Sequence, residues 1–165
     1  NQYFRGMVDK YSWVDVGSSY LPSDIQAAYL WGQLDNCNLI NETRLKIWNA
    51  YKAGLEGLME AGKLRLPTIP VDCEHNGHMF YIKVCDLDTR AALLAHLKSE
   101  GVGAVFHYVP LHSALAGEKF SRFAGVDRFT TAESESLIRL PVWYGLSDQQ
   151  VQTVIAAVKS FYGTL

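Results

Sequence analysis

The sequence predicts an α/β domain of the α+β kind, a small, mainly antiparallel sheet flanked by helices. Three observations lead there. Short apolar runs at Leu64–Leu66, Met79–Val84, Gly103–Val109 and Leu137–Leu140 carry the sheet signal, and three of them stop at Pro67, Pro110 or Pro141. β-Branched and aromatic residues suit a pleated surface, and proline withholds a ladder donor, so each proline marks a strand end. Around these runs, apolar residues recur at helical spacing behind capping sequences. Finally, 165 residues with 48% hydrophobic and 12% aromatic content suit one packed core and not a disordered chain.

In chain order, Asn1–Val16 holds Tyr3, Phe4, Tyr11 and Trp13 without a clean period, and reads as an arm. Gly17-Ser18-Ser19-Tyr20 is a hydroxyl-rich loop, and Ser23-Asp24-Ile25-Gln26 is a capping box that opens a helix to about Leu34. This loop is either an ordinary helix start or an anion site, since orphan N–H groups and the macrodipole favour negative charge there. Asp35–Asn41 is a polar break and the one candidate boundary, so residues 1–41 separate from 42–165.

A second helix is expected over Glu42–Ala61, with Ile40, Ile47, Trp48, Tyr51, Leu55 and Leu58 on one stripe and Gly62 ending it. After the Thr68–Gly77 loop and the Met79–Val84 strand, Asp88 is the expected cap of a helix burying Ala91, Leu94 and Leu97, with Gly101 at its end. Ser113–Arg128 is a long polar excursion. Thr130-Thr131-Ala132-Glu133 matches a second capping box and Ser147-Asp148-Gln149-Gln150 a third. The last helix has the clearest amphipathic pattern, through Val151, Val154, Ile155, Val158 and Phe161.

Composition narrows the function classes. Net charge is −2 with no basic stripe, which argues against nucleic acid. No apolar run approaches the ~20 residues of a membrane span, and the polar start is no signal peptide. Cys37, Cys73 and Cys85 are odd in number and widely spaced, as reduced thiols of a cytoplasmic protein are. No G-x-S-x-G, G-x-G-x-x-G or Walker loop occurs. His75, His78, His107 and His112 invite a metal reading, but no cysteine or acidic residue completes a ligand set. His107, Tyr108 and His112 form the densest polar-aromatic group, at the exit of a strand.

Two blocks carry a resemblance. Asp15-Val16-Gly17-Ser18-Ser19-Tyr20-Leu21-Pro22-Ser23-Asp24-Ile25-Gln26-Ala27-Ala28-Tyr29 resembles the signature of the DegT family of sugar-nucleotide aminotransferases. His107-Tyr108-Val109-Pro110-Leu111-His112 is similar to that family's Tyr-x-Pro-Leu-His block. Val8-Asp9-Lys10-Tyr11-Ser12-Trp13 and His78-Met79-Phe80-Tyr81-Ile82-Lys83 extend the likeness over nearly the whole chain.

The resemblance implies the C-terminal small domain of a type I aminotransferase using pyridoxal phosphate. Such an enzyme moves an amino group from glutamate to the 4-keto carbon of a dTDP-6-deoxyhexose. It implies a homodimer in which Ser19, with Ser18, approaches the cofactor phosphate of the partner subunit. Most members carry Asn where Ser19 stands and many carry Arg where Leu21 stands. It also implies that His107, Tyr108 and His112 lie near the sugar nucleotide.

The family's Schiff-base lysine and pyridinium-pairing aspartate belong to its larger N-terminal domain, and none of the eight lysines here lies in a matching motif. The chain, which begins with Asn1, is therefore expected to be a fragment with no catalytic residue, no bound cofactor and no activity alone. Two other classes remain open on sequence grounds: a noncatalytic binding or dimerisation module, and a metal enzyme built on the four histidines.

Overall fold

The computed structural model describes residues 21–163, so the Asn1–Val16 arm and the Ser18 and Ser19 pair lie outside the described residues. The chain divides into two compact units, Asn1–Cys37 and Asn38–Leu165. The described part of the first unit is helix α1, Asp24–Leu34, which buries no residue. Its start is the expected capping box: the Gln26 N–H donates to Ser23 Oγ at 3.3 Å, and the Ser23 N–H donates to Gln26 Oε1 at 2.9 Å. The polar break is shorter than expected. Asn36 Nδ2 donates to the Gly32 carbonyl and closes α1, and α2 already begins at Cys37 and runs to Glu60.

The second unit is built on a three-stranded antiparallel sheet in the order β1-β3-β2, from Phe80–Lys83, Leu137–Leu140 and Val105–Phe106 respectively. Alternation splits its two faces. Phe80, Ile82, Ile138 and Leu140 are buried, whereas Tyr81, Lys83, Leu137 and Arg139 are half-buried on the other face. Helices cover the apolar face. α2 supplies Ile47, Trp48, Tyr51, Leu55 and Leu58, and α6 (Asp148–Phe161) supplies Val151, Val154, Ile155 and Val158, as the stripes predict. The Phe80 ring lies 5.3 Å from that of Trp48 and 5.2 Å from that of Tyr51. The Tyr51 hydroxyl donates to the Pro141 carbonyl at 2.9 Å, so the buried phenol is satisfied. Ser147 and Gln150 form the expected capping box of α6.

Four local expectations need correction. The Leu64–Leu66 strand is reduced to one antiparallel bridge, Arg65 to Lys83, because the turn at Gly62 precedes it and Pro67 follows. β2 is two residues long and not seven. Its partner β3 starts only at Leu137, directly after helix α5 (Thr130–Ser136, itself preceded by the short helix α4, Leu115–Phe120), so backbone beyond His107 has no strand to pair with. Helix α3 runs Leu87–Ser99 and is capped by Asp86, not Asp88, with the Thr89 N–H donating to Asp86 at 2.7 Å. Its buried pair is accordingly Leu93 and Leu97, while Ala91 is exposed and Leu94 half-buried. Finally, Glu133 does not cap α5. Its carboxylate is drawn to Lys83 and Arg65 on the open face of the sheet. Asp127 takes the capping role, accepting from the Thr131 N–H at 3.2 Å and from the Thr131 hydroxyl.

Candidate functional site

A cavity of about 630 Å³ opens where β2 ends and α5 begins. The strand register builds one wall. Lys83 pairs with Leu137, and Tyr81 stands two residues away on the same face. Loop residues His107 and Tyr108 form the opposite wall, with Glu133 and Ser134 from α5 between. The His107 and Tyr108 rings are 3.9 Å apart, their connecting peptide is cis, and His107 Nδ1 is buried without a partner. Tyr108 is 66% exposed, so its ring faces the opening. Its carbonyl accepts from the Ser134 hydroxyl, and Arg90 donates to the Ser134 carbonyl at 2.6 Å, which ties this loop through α5 to α3.

The floor is ionic. Lys83 Nζ sits on the Glu133 carboxylate, and Arg65 is 3.8 Å away on its other side. The Lys83 hydrogen bond, helped by the charges of Lys83 and Arg65, holds the Glu133 carboxyl below its usual range despite partial desolvation.

His112 does not line this cavity. It sits in the short 3₁₀ turn Leu111–Ser113 and faces away to Asp127, with Nε2 3.1 Å from the carboxylate and 3.4 Å from the Thr131 hydroxyl. Its ring packs on Phe123 at 4.5 Å. Asp127 is held below the usual carboxylate range, first by the Thr131 hydroxyl and then by the Thr131 N–H and the His112 charge. His112 thus pins the loop that presents His107 and Tyr108, whereas those two meet solvent in the cavity.

His75 and His78 are elsewhere. His75 packs on Trp48 at 4.5 Å and accepts from the Gly77 N–H, and His78 Nδ1 lies 3.4 Å from Arg44. Among the described residues no three His, Cys, Asp or Glu side chains converge on a metal position. The cluster of Lys83, Glu133 and Arg65 escaped the sequence analysis, which read Glu133 only as a capping residue. Alternation along Phe80–Lys83 already puts Lys83 on the polar face, but its partners come from residues 18 and 50 positions distant.

Two described lysines already have carboxylate partners, so neither offers a free amine to pyridoxal phosphate. The lysine in the cavity, Lys83, is neutralised by Glu133, and Lys46 is held by Asp148 at 2.8 Å. Neither amine stands beside a second, unshared carboxylate for a pyridine nitrogen.

Comparison with known proteins supplies the relatives. The chain is similar to an uncharacterised protein, MJ1066, of Methanocaldococcus jannaschii, at 29% identity over 90% of this chain and 39% of that one. Among solved structures, DesV of S. venezuelae matches with a TM-score of 0.77 and 27% identity, over 95% of this chain and 41% of DesV. The putative sugar aminotransferase Spr1654 of Streptococcus pneumoniae, in its PLP form, matches with a TM-score of 0.73 and 25% identity, over 92% of this chain and 39% of that one. The chain thus spans about two fifths of the length of these relatives. The model of the DegT/DnrJ/EryC1/StrS aminotransferase family matches residues 2–159, and the chain belongs to that family.

Proposed function

We propose that this chain is the C-terminal part of a pyridoxal phosphate-dependent sugar-nucleotide aminotransferase. The parent enzyme converts a dTDP-4-keto-6-deoxyhexose to the 4-amino sugar with glutamate as donor. Its nearest functional type is dTDP-4-amino-4,6-dideoxygalactose transaminase, of bacterial surface polysaccharide (enterobacterial common antigen) synthesis. It acts as a cytoplasmic homodimer. The observation that carries this reading is the family match across residues 2–159. The TM-score of 0.73 with Spr1654, a putative sugar aminotransferase in PLP form, supports it.

In this reading residues 1–41 are the arm, turn and first helix that reach the partner subunit, and 42–165 are the domain itself. Ser19, with Ser18, donates to the partner subunit's cofactor phosphate. His107 and Tyr108 hold the sugar nucleotide, the phenol ring offering an apolar face and both side chains offering hydrogen bonds. His112 fixes that loop through Asp127. Pyridoxal phosphate supplies the electron sink when bound. Its lysine and acidic partner belong to a preceding domain, and the described residues supply orientation alone.

A glutamate-dependent amination assay tests the proposal. The 165-residue chain with added pyridoxal phosphate should show no turnover above a free-cofactor control. In the parent enzyme, Ser19→Ala should weaken cofactor retention and His112→Ala should mainly raise KM for the sugar. Turnover by the chain alone, or a parent inactive on every dTDP-4-keto sugar, would overturn it.

A further inference from the structure

A second cavity, of about 330 Å³, lies beside β3 and shares no wall residue with the first. Its volume is at the lower end of the ~300–1,000 Å³ of small-molecule sites. Two arginines, Arg44 from α2 and Arg139 from β3, face it together with His78, and among the described residues no Asp or Glu lines it. Neither arginine forms a salt bridge among the described residues.

The donors of both are poorly used. Among the described residues Arg44 meets only His78 Nδ1, at 3.4 Å, and its Nε is buried without an acceptor. Arg139 donates to the Met79 sulfur at 3.4 Å, a weak acceptor. Each guanidinium carries five N–H groups, and a half-buried cation left short of acceptors is costly. Two such groups in one concavity without an acid among the described residues call for an external anion, and the fork of a guanidinium matches carboxylate and phosphate oxygens pairwise.

The site is held in place by backbone. Gly77 adopts φ +62° and lies so close to α2 that a Cβ would stand 2.8 Å from the Arg44 carbonyl carbon. That approach seats His78 beside Arg44. Arg139 is fixed on the central strand, directly opposite Tyr81 and Val105. Met79, Val105 and Trp143 add apolar surface for the organic part of a ligand.

We propose that this cavity binds an oxyanion carried by a small organic molecule, with Arg44 and Arg139 as its paired anchors and Trp143 as its apolar wall. The shared chemistry is a multiply charged oxyanion, from a diphosphate or from a dicarboxylate. The inference rests on this cavity and not on the aminotransferase reading, so binding to the isolated chain is decided separately from turnover.

Isothermal titration of the 165-residue chain with pyrophosphate, and separately with 2-oxoglutarate, tests it. Saturable heat with the first identifies a phosphoryl ligand, and with the second a carboxylate ligand. Arg44→Gln and Arg139→Gln should each weaken that binding about tenfold or more, the loss of one charge-assisted hydrogen bond. Arg122→Gln, which removes the same charge from an exposed position outside the cavity, should not. NMR titration of the unmutated chain should move the Trp143 indole and the Arg44 and Arg139 Nε–H signals, which keeps the test decisive if a variant misfolds. No saturable binding by either probe, or an equal loss with Arg122→Gln, overturns the proposal.

Discussion

Replacing Gly77 by alanine separates two physical costs that usually travel together. The first is conformational. At φ +62° an L-residue is disfavoured by about 1–2 kcal/mol for left-handed backbone. The second is steric. An added Cβ would stand 2.8 Å from Arg44 C, 2.9 Å from Leu45 N and 3.0 Å from Arg44 O, all backbone atoms of α2 that no rotamer can move aside. Overpacking of this kind costs about a further 1–3 kcal/mol. Gly101 provides the control. Its φ is +75°, but a Cβ added there would meet no atom within 4 Å, so Gly101→Ala bears the conformational cost alone. Urea denaturation should therefore show Gly101→Ala losing about 1–2 kcal/mol and Gly77→Ala about 2–5 kcal/mol. At ~2–4 °C per kcal/mol for a chain of this size, thermal melts should separate the two variants by several degrees. The Gly77 variant should also detach His78 from Arg44 and weaken oxyanion binding, while the Gly101 variant should not. Equal destabilisation by the two substitutions would refute the close-approach argument.

Val154→Asp buries an unpaired carboxylate between α6 and the core, where Val154 is 5% exposed, and should cost about 3 kcal/mol or more in a chemical melt; an unchanged melting temperature contradicts the packing. Burial pushes the Tyr51 phenol well above its ordinary value and that of Tyr162 up to about 12. A raised folded pKa leaves stability intact below the unfolded value near ~10 and removes it as pH climbs through the folded values, so the chain should unfold in alkali, and Tyr51→Phe should shift that transition upward when followed by circular dichroism. The opposite sign holds for Asp127: its lowered pKa contributes stability above the unfolded value near ~3.9 that is lost as pH falls through the folded one. The protection of the Thr131 amide, taken relative to its intrinsic exchange rate at each pH, should therefore fall in acid, and Asp127→Asn should remove that pH dependence.

What the sequence determined by itself was most of the helices, one strand of the sheet and the faces that α2 and α6 bury. The stripes of α2 and α6, the Ser23 and Ser147 caps, the glycine ends at Gly62 and Gly101, and the Leu137–Leu140 strand are all encoded within a few residues, so local periodicity suffices to read them. The His107–His112 block likewise marked the loop that enters the first cavity. Tertiary structure decided what those signals compete with. Glu133 has the spacing of a capping residue, but a lysine and an arginine on the open sheet draw its charge away from the N-terminus of α5. His112 stands in the same motif as His107, yet the 3₁₀ turn that holds it directs it to Asp127 and not to the cavity. The Arg44–Arg139 pair left no trace in the sequence. The two residues are 95 positions apart, and only the strand register and the left-handed turn at Gly77 bring a helix, a loop and a central strand around one space.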